Sequence, residues 1–398
     1  MSIRKPADYE AIYSRALFED VIPFWMTHSP DREFGGYLHS LDRDGSAIDT
    51  EKFMWPLNRE IWVFSALCNS IENRPEWLEM AKLGADFLKK HGRDPNGDWY
   101  FVLARDGSPV VQAYNLFAEC FVAVGFAEYA KAAGDEEALD IALDAYERFQ
   151  GRRPNPKGKY EKVLPGARPF KALTFSMATI NMSVVLSRIR PDDKCEALIR
   201  QDIDAILRDF IDADGRVIRE NVTMDGKCDD SSYIGRHINP GHGIEAMWFI
   251  MEAAAERGDQ ETIARAAEAI KWSLDFGWDK EYGGIYYFMD RLGKPHTELQ
   301  WDMKLWWPQV ETLIATLMAY RYTGDRLFYD WFEKIHDYTW AIFPDVEHGE
   351  WFGYANRQGE INIPCKGNRW KCCFHIPRAL LMIAELCRDI QKSQEIPG

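Results

Sequence analysis

The chain has 398 residues, of which 46% are hydrophobic, so it can bury a large core. Its formal net charge of −15 argues against binding to nucleic acid or to an anionic membrane surface, because both need a basic face. No apolar run approaches the roughly 18 residues of a membrane-spanning helix.

Paired amphipathic helices are predicted along the whole chain, because apolar residues recur at i, i+3, i+4 and i+7. Gly-Asp steps at 134–135, 258–259 and 324–325 separate the members of a pair, as short turns should. The predicted helices are roughly 9–27, 54–73, 76–91, 113–133, 136–150, 174–190, 194–210, 241–257, 260–276, 303–323, 326–342 and 373–390.

Short segments of alternating residues lie between the helix pairs and predict small β-hairpins. Five of them are centred near Gly36, Gly97, Gly215, Gly284 and Gly349. A sixth and weaker one, GKYEKVLPG, begins at Gly158 and fills the gap in a spacing of about 60 to 70 residues.

Six repeats of a helix pair and a hairpin predict an all-α fold, a closed (α/α)6 barrel with its hairpins at one mouth. We expect residues 1–398 to form one such domain. An open solenoid is the alternative, but its end repeats would need polar caps, which neither terminus resembles.

Closure would bring distant residues together, because the helix that follows each hairpin starts at the same end of the barrel. The first turns of these helices carry polar or aromatic side chains. They are Arg59, Asn115, Glu119, His242, Glu245, Trp306, Trp307, Glu311, His375 and Arg378.

Two of these residues, His242 and His375, suit proton transfer at carbon near neutral pH. Glu245, one turn after His242, could fix its tautomer, and Glu311 is a candidate partner for His375. Arg59 could hold the oxygen of an enediolate. These residues fit both epimerisation at C2 of an open-chain sugar and aldose–ketose isomerisation.

Other interpretations use the same residues differently. His242-x-x-Glu245 has a metal-ligand spacing, but no second motif of that kind completes a site, so no metal is predicted. Glu119, Glu245 and Glu311 could serve a glycoside hydrolase or lyase, and the mouth could also simply bind a partner. The basic segment CKGNRWKCC at 365–373 could touch a phosphate, although a solvated loop is favoured.

The sequence resembles the N-acylglucosamine 2-epimerase (renin-binding protein) family. The resemblance rests on MWPLNREIW, NLFAECF, RENVTMDGK, GRHINPGHGIEAMWF, GWDKEYGGIYYF, LQWDMKLWWPQVE, GEWFGYANRQG and KGNRWKCCFHIPRAL, in family order along nearly the whole chain. It implies an (α/α)6 barrel that interconverts N-acetylglucosamine and N-acetylmannosamine. An epimerase or isomerase of an unsubstituted sugar, of the mannose, glucose or cellobiose type, is the alternative.

The resemblance also implies roles for individual residues. Arg59 matches the enediolate-binding arginine, His242 and His375 match the acid/base pair, and Glu245 and Glu311 support them. The implied sugar-binding residues are Asn115, Glu119, Arg236, Trp306, Trp307 and Arg378.

The helix containing TFSMATINM departs from the family pattern, which leaves open the group that recognises C2 substituents. The family's glycine-rich KGGPFKG is replaced by KGNRWKC at 366–372.

No cofactor is expected for the chemistry, with ATP left open as an allosteric activator. The expected partners are a sugar and, as an option, a second copy of the chain. Eight irregularly spaced cysteines and an N-terminus without an apolar signal segment predict reduced thiols in the cytoplasm.

Overall fold

The computed structural model describes residues 4–164, 166–167 and 169–395, and most of these residues are helical. The helices are α1 (Pro6–Arg15), α2 (Ile22–His28), α3 (Met54–Ser70), α4 (Pro75–His91), α5 (Phe117–Ala133), α6 (Glu136–Arg152), α7 (Leu173–Ser187), α8 (Asp193–Ala205), α9 (Tyr233–Arg236), α10 (Pro240–Glu256), α11 (Gln260–Gly277), α12 (Trp306–Thr323), α13 (Arg326–Ile342) and α14 (His375–Glu395). π-Helical segments join α1 to α2 and extend α8. No helix within these ranges is long and apolar enough to cross a membrane.

The strands are two or three residues long and lie between the helices. They are β1 (Ser40–Leu41), β2 (Ala47–Asp49), β3 (Lys52–Phe53), β4 (Val102–Leu103), β5 (Pro109–Val111), β6 (Phe170–Ala172), β7 (Ile211–Asp212), β8 (Val217–Ile218), β9 (Asn221–Thr223), β10 (His237–Ile238), β11 (Met289–Asp290), β12 (Lys304–Leu305), β13 (Tyr354–Ala355) and β14 (Ile361–Ile363). All of the strand pairs are antiparallel.

Two layers of helices form the predicted (α/α)6 barrel. The inner helices α3, α5, α7, α10, α12 and α14 pack in that order, and each of the first five packs on the outer helix that follows it. The outer partner of α14 is α1, from the other end of the chain, so the ring is closed and the open solenoid is excluded. The inner helix α12 has buried residues on nearly all of its faces, whereas the outer helix α13 has its buried residues on one face.

Every predicted helix overlaps an observed one, but the hairpins differ in detail. Strand pairs β1–β2, β4–β5, β7–β8 and β13–β14 form hairpins at predicted positions, whereas β11 pairs with β10 instead of closing its own hairpin. The prediction of a sixth hairpin is wrong. Gly158–Tyr160 forms a 3-10 turn, and no strand lies in the described residues from 158 to 167. Pro154 and Pro156, which lack an N–H, precede the turn, and this segment has few of the β-branched residues typical of strands.

The strand that enters an inner helix pairs with the hairpin of the next repeat. In this way β3 pairs with β4 and β12 pairs with β13, with Lys52 opposite Leu103 and Lys304 opposite Ala355. The short sheets therefore join neighbouring repeats at the end of the barrel where the inner helices begin.

Three buried aspartates reinforce these junctions. Asp31, Asp279 and Asp345 each accept from a fully buried lysine and from an arginine in the hairpin turn of the next repeat. The lysines are Lys52 at 3.0 Å, Lys304 at 3.1 Å and Lys366 at 2.8 Å. The arginines are Arg105 at 2.9 Å, Arg357 at 2.8 Å and Arg43 at 2.8 Å. The Arg43–Asp345 pair joins the last repeat to the first.

Replacing Asp345 by Asn should destabilise the barrel by about 3–5 kcal/mol, because Lys366 would stay buried without its counter-ion. The matched control is Asp337→Asn, which removes the carboxylate of the exposed Arg4–Asp337 pair and should cost at most about 1 kcal/mol. Urea unfolding followed by tryptophan fluorescence measures both. Equal losses in the two variants would contradict a special role for the buried aspartate.

Candidate active site

A cavity of about 550 Å³ opens at the mouth where the inner helices begin. Seven of the predicted site residues lie in its wall, on four of the six inner helices. They are Arg59, His242, Glu245, Trp306, Trp307, His375 and Arg378. Glu311 lies directly behind His375. Residues up to 319 positions apart in sequence, Arg59 and Arg378, therefore share one cavity wall because the barrel is closed.

His375, the first residue of α14, has the predicted carboxylate partner. Its Nδ1 lies 2.7 Å from Oε1 of Glu311 on the neighbouring inner helix α12. Glu311 also accepts from Nε1 of Trp248 at 2.9 Å and from Nη2 of Arg378 at 2.6 Å. These donors suit a carboxylate that accepts the Nδ1–H of His375, so Nε2 is the nitrogen left to act as a base.

His242 has a different partner from the predicted one. Its Nδ1 lies 3.0 Å from Oε1 and 3.2 Å from Oε2 of Glu220, which directly precedes β9. Asn239 caps α10, its Oδ1 accepting the backbone N–H of His242. The prediction that Glu245 orients His242 is wrong, because Glu245 turns to Arg378 on α14 instead.

The surroundings shift the pKa values of the two imidazoles in opposite directions. Burial lowers the pKa of His375, and the positive charges of Arg59 and Arg378 lower it further. Burial also disfavours the charged form of His242, but the charge and hydrogen bond of Glu220 outweigh it and raise the pKa of His242. The surroundings therefore favour the neutral form of His375 and the protonated form of His242, a division that suits one base and one acid.

Arg378 links the carboxylate of Glu245, in the cavity wall, to that of Glu311, behind the wall. Its Nη2 donates to Glu245 at 2.8 Å and to Glu311 at 2.6 Å, and only 5% of its side chain is exposed. Ligand atoms of Glu245, Glu311 and His375 could come close enough for a metal ion, but Arg378 already supplies the positive charge there. The two side chains of the His242-x-x-Glu245 spacing bind different partners, Glu220 and Arg378.

Arg59 brings a positive charge that the protein leaves unpaired. No carboxylate within residues 4–164, 166–167 and 169–395 forms an ion pair with it, and its buried Nε has no hydrogen-bond partner there. The guanidinium lies over the ring of Phe121 at 4.1 Å and near that of Phe374 at 5.1 Å. Because a partly buried cation without a counter-ion is costly, this group is suited to an anionic or carbonyl oxygen of a ligand.

Two neighbouring tryptophans line the cavity next to the histidines. The Trp307 ring lies 5.2 Å from that of His242 and 5.9 Å from that of His375, so it stands beside both imidazoles. Trp306 packs against Tyr354, with ring centroids 5.1 Å apart. A flat aromatic surface next to two acid/base groups suits the C–H face of a sugar.

Three predicted sugar-binding residues lie outside the cavity wall. Asn115 caps the start of α5, its Oδ1 accepting from Phe117 N at 2.9 Å. Glu119 is fully buried and binds Arg152. Arg236 pairs with Asp290 at 3.0 Å. Each of these side chains is engaged by a protein group, so the structure does not bring them to the ligand.

The basic segment before His375 is not a solvated loop. Lys366 and Lys371 are fully buried and pair with Asp345 and Glu350, at 2.8 and 2.9 Å. Of the basic residues in this segment, Arg369 is the one whose side chain is exposed. The two lysines are therefore unavailable to a phosphate group.

Sequence reasoning missed Glu220 and Asn181. Glu220 lies within the segment RENVTMDGK, and its place beside a strand at the barrel mouth was the available signal. Asn181 lies on the cavity face of α7. Its spacing from Thr174 and Met177, at i+7 and i+4, is typical of a single helix face.

Comparisons with known proteins identify the family and the fold of this chain. The family model for N-acylglucosamine 2-epimerase (GlcNAc 2-epimerase) matches residues 36–379. The N-acylglucosamine 2-epimerase of Bos taurus is 36% identical over 385 residues, which cover 93% of this chain and 89% of that protein. A cellobiose 2-epimerase of Bacteroides fragilis is 25% identical over 382 residues, covering 91% and 95%. The solved cellobiose 2-epimerase of Bacillus thermoamylovorans shares the fold, with a TM-score of 0.82 at 22% identity, over 95% and 99% of the chains.

Replacing Glu220 by Gln should lower the pKa of His242 from above its ordinary value to below it, because burial remains while the opposing charge is lost. An NMR titration of the histidine ring signals, assigned with His242→Ala, measures the change. Glu298→Gln, in the exposed loop nearby, is the control and should leave His242 unchanged. An identical His242 titration in wild type and Glu220→Gln would show that Glu220 does not set its charge.

Proposed function

Because the chain belongs to the N-acylglucosamine 2-epimerase family, we propose that it is a carbohydrate epimerase that interconverts N-acetylglucosamine and N-acetylmannosamine. The observation that carries the proposal is the pair of imidazoles, each held by its own carboxylate, that share a cavity with Arg59, a cation without a carboxylate partner in the described residues. The family relationship supplies the substrate class, and these residues supply a chemistry that fits it.

The proposed reaction acts on the open-chain sugar. Nε2 of the neutral His375 removes the proton from C2, and the electron pair left on carbon delocalises onto the C1 oxygen. Arg59 holds this enediolate oxygen with its charge and its planar pair of donors. The protonated His242 then delivers a proton to the opposite face of C2, which inverts the carbon. His375 then releases its proton to solvent and His242 takes one up. In the reverse reaction the two histidines exchange roles.

The placement of the two histidines favours epimerisation over isomerisation. His242 comes from α10 and His375 from α14, and α12 with Trp307 lies between these two helices. A planar intermediate between them can lose a proton to one side and gain it from the other. A single-base isomerase would need only one imidazole to carry the proton from C2 to C1.

The chemistry proposed here uses only residues of the chain and needs no cofactor. Glu245 and Glu311, which a glycoside hydrolase would use as its carboxylate pair, are both bound to Arg378, and Glu311 also holds His375. ATP is kept as a test condition, because nucleotide activation is a separate property from catalysis.

A substrate screen tests the proposed function. The protein is incubated with N-acetylmannosamine, mannose and cellobiose, each with and without ATP, and the products are separated by chromatography. We expect N-acetylglucosamine from N-acetylmannosamine as the fastest reaction. Faster conversion of mannose or cellobiose would support the alternative, an epimerase or isomerase of unsubstituted sugars. Hydrolysis of the disaccharide, or no product at all, would contradict both.

His242→Ala and His375→Ala should each reduce epimerisation by about 10²- to 10⁴-fold, because each removes one acid/base group. Each variant should still exchange the C2 proton of one epimer with D2O, since the remaining histidine can remove and return a proton on its own face. The two variants should therefore label different epimers. His348→Ala, a partly exposed histidine away from the cavity, is the control. Near wild-type turnover in either alanine variant would refute the two-base assignment.

Arg59→Lys should lower kcat by about 10²- to 10³-fold, because lysine keeps the charge but loses the planar donors that hold the enediolate oxygen. Arg74→Lys is a matched control, since Arg74 also lies over an aromatic ring, that of Trp77 at 4.6 Å, but at the start of an outer helix. Steady-state kinetics of both variants give the comparison. Normal kcat in Arg59→Lys would make Arg59 a structural residue.

A further inference from the structure

The cavity has a second wall that the proposed acid/base chemistry does not use. It is formed by α5 and by α7, and α7 packs next to α10, which carries His242, and lies opposite α14, which carries His375, in the order of the ring. Its residues are Phe117, Cys120, Phe121, Val124, Thr174, Met177, Ala178 and Asn181. Apart from Thr174 and Asn181, this wall is apolar or only weakly polar. Sugar hydroxyls alone would find few partners there.

Asn181 is the polar group that lies deepest in this wall. It follows the first residue of α7 by eight positions, or about 12 Å along the helix axis, whereas His242 is about 3 Å from the start of α10. Val124 on α5 and Phe249 on α10 lie at similar positions in their helices. Together these residues form the floor of the cavity.

The carboxamide of Asn181 is free to bind a ligand. No hydrogen bond joins it to another side chain or to the backbone in the part of the chain that the structure describes. A carboxamide offers two N–H donors and one carbonyl acceptor. Left unpaired against an apolar surface, such a group costs free energy that a matching ligand group would recover.

The orientation of the substrate follows from Arg59 and from this floor. Arg59, about 7.5 Å along α3, holds the C1 end near the histidines. The hydroxyl-bearing carbons C3 to C6 are best solvated toward the open mouth. The group on C2 then points to the floor. An acylamino group reaches farther from C2 than a hydroxyl does, and it ends in an apolar methyl group.

We propose that Asn181 is a specificity-determining residue that hydrogen-bonds the C2 acylamino group, while Val124 and Met177 contact its acyl methyl. This inference rests on the proposed function and names the part of the site that selects an N-acyl sugar. A sugar with only a hydroxyl at C2 would leave the Asn181 carboxamide unpaired and the floor empty. A site built to bond a substrate group discriminates strongly against the analogue that lacks it.

Two variants test the assignment, each measured with N-acetylmannosamine and with mannose. Asn181→Leu removes the hydrogen bond, and Val124→Phe fills the space of the acyl methyl. Both should lower kcat/KM for N-acetylmannosamine by about 5- to 100-fold and change the value for mannose by less than about threefold. If mannose turnover is below detection, the inhibition constant of mannose in the N-acetylmannosamine reaction is compared instead of its kcat/KM.

Asn69→Leu is the matched control, because Asn69 lies at the far end of inner helix α3 and binds Glu128. It should leave the ratio between the two sugars unchanged. Equal losses for both sugars in Asn181→Leu, or no loss for either, would overturn the role of Asn181 while leaving the proposed function standing. A wild-type protein that converts mannose but not N-acetylmannosamine would overturn the proposed function itself.

Discussion

The buried pairing of an aspartate with a lysine is the interaction on which the barrel mouth depends. Asp31, Asp279 and Asp345 each hold a lysine from the segment that enters an inner helix and an arginine from the next hairpin. Such a pair contributes little net stability, but breaking it is costly, so it fixes one arrangement of the loops. Those loops set where the inner helices begin, and His242, Trp307 and His375 lie in the first turns of these helices.

The chemistry of the site follows from which helices supply each partner. Glu220 reaches His242 from the strand region before β9, while Glu311 reaches His375 from α12. Arg378 lies within the same buried group as His375 and adds positive charge next to it. The pKa values of the two imidazoles are shifted in opposite directions, because His242 faces the carboxylate of Glu220 while the positive charges of Arg59 and Arg378 stand near His375.

Much of this arrangement could be predicted from the sequence, because helix periodicity and repeat spacing are local signals. The closed barrel, the Glu311–His375 contact and the position of Arg59 followed from them. The partner of His242 did not. Glu245 and Glu220 are both near His242, and only the side-chain directions decide between them. Sequence position predicts Asn115 and Glu119 at the mouth, and the family resemblance implies sugar binding by Arg236, yet each is engaged by a neighbouring protein group.

The central claim is that two histidines act on opposite faces of C2, and NMR of the reaction in D2O tests it most directly. The account predicts that N-acetylmannosamine gives its C2 epimer with deuterium at C2 and none at C1. Recovered starting sugar should carry little label at early conversion, because one histidine removes the proton and the other delivers it. A ketose product carrying deuterium at C1 would contradict the claim and would leave a single histidine as the base.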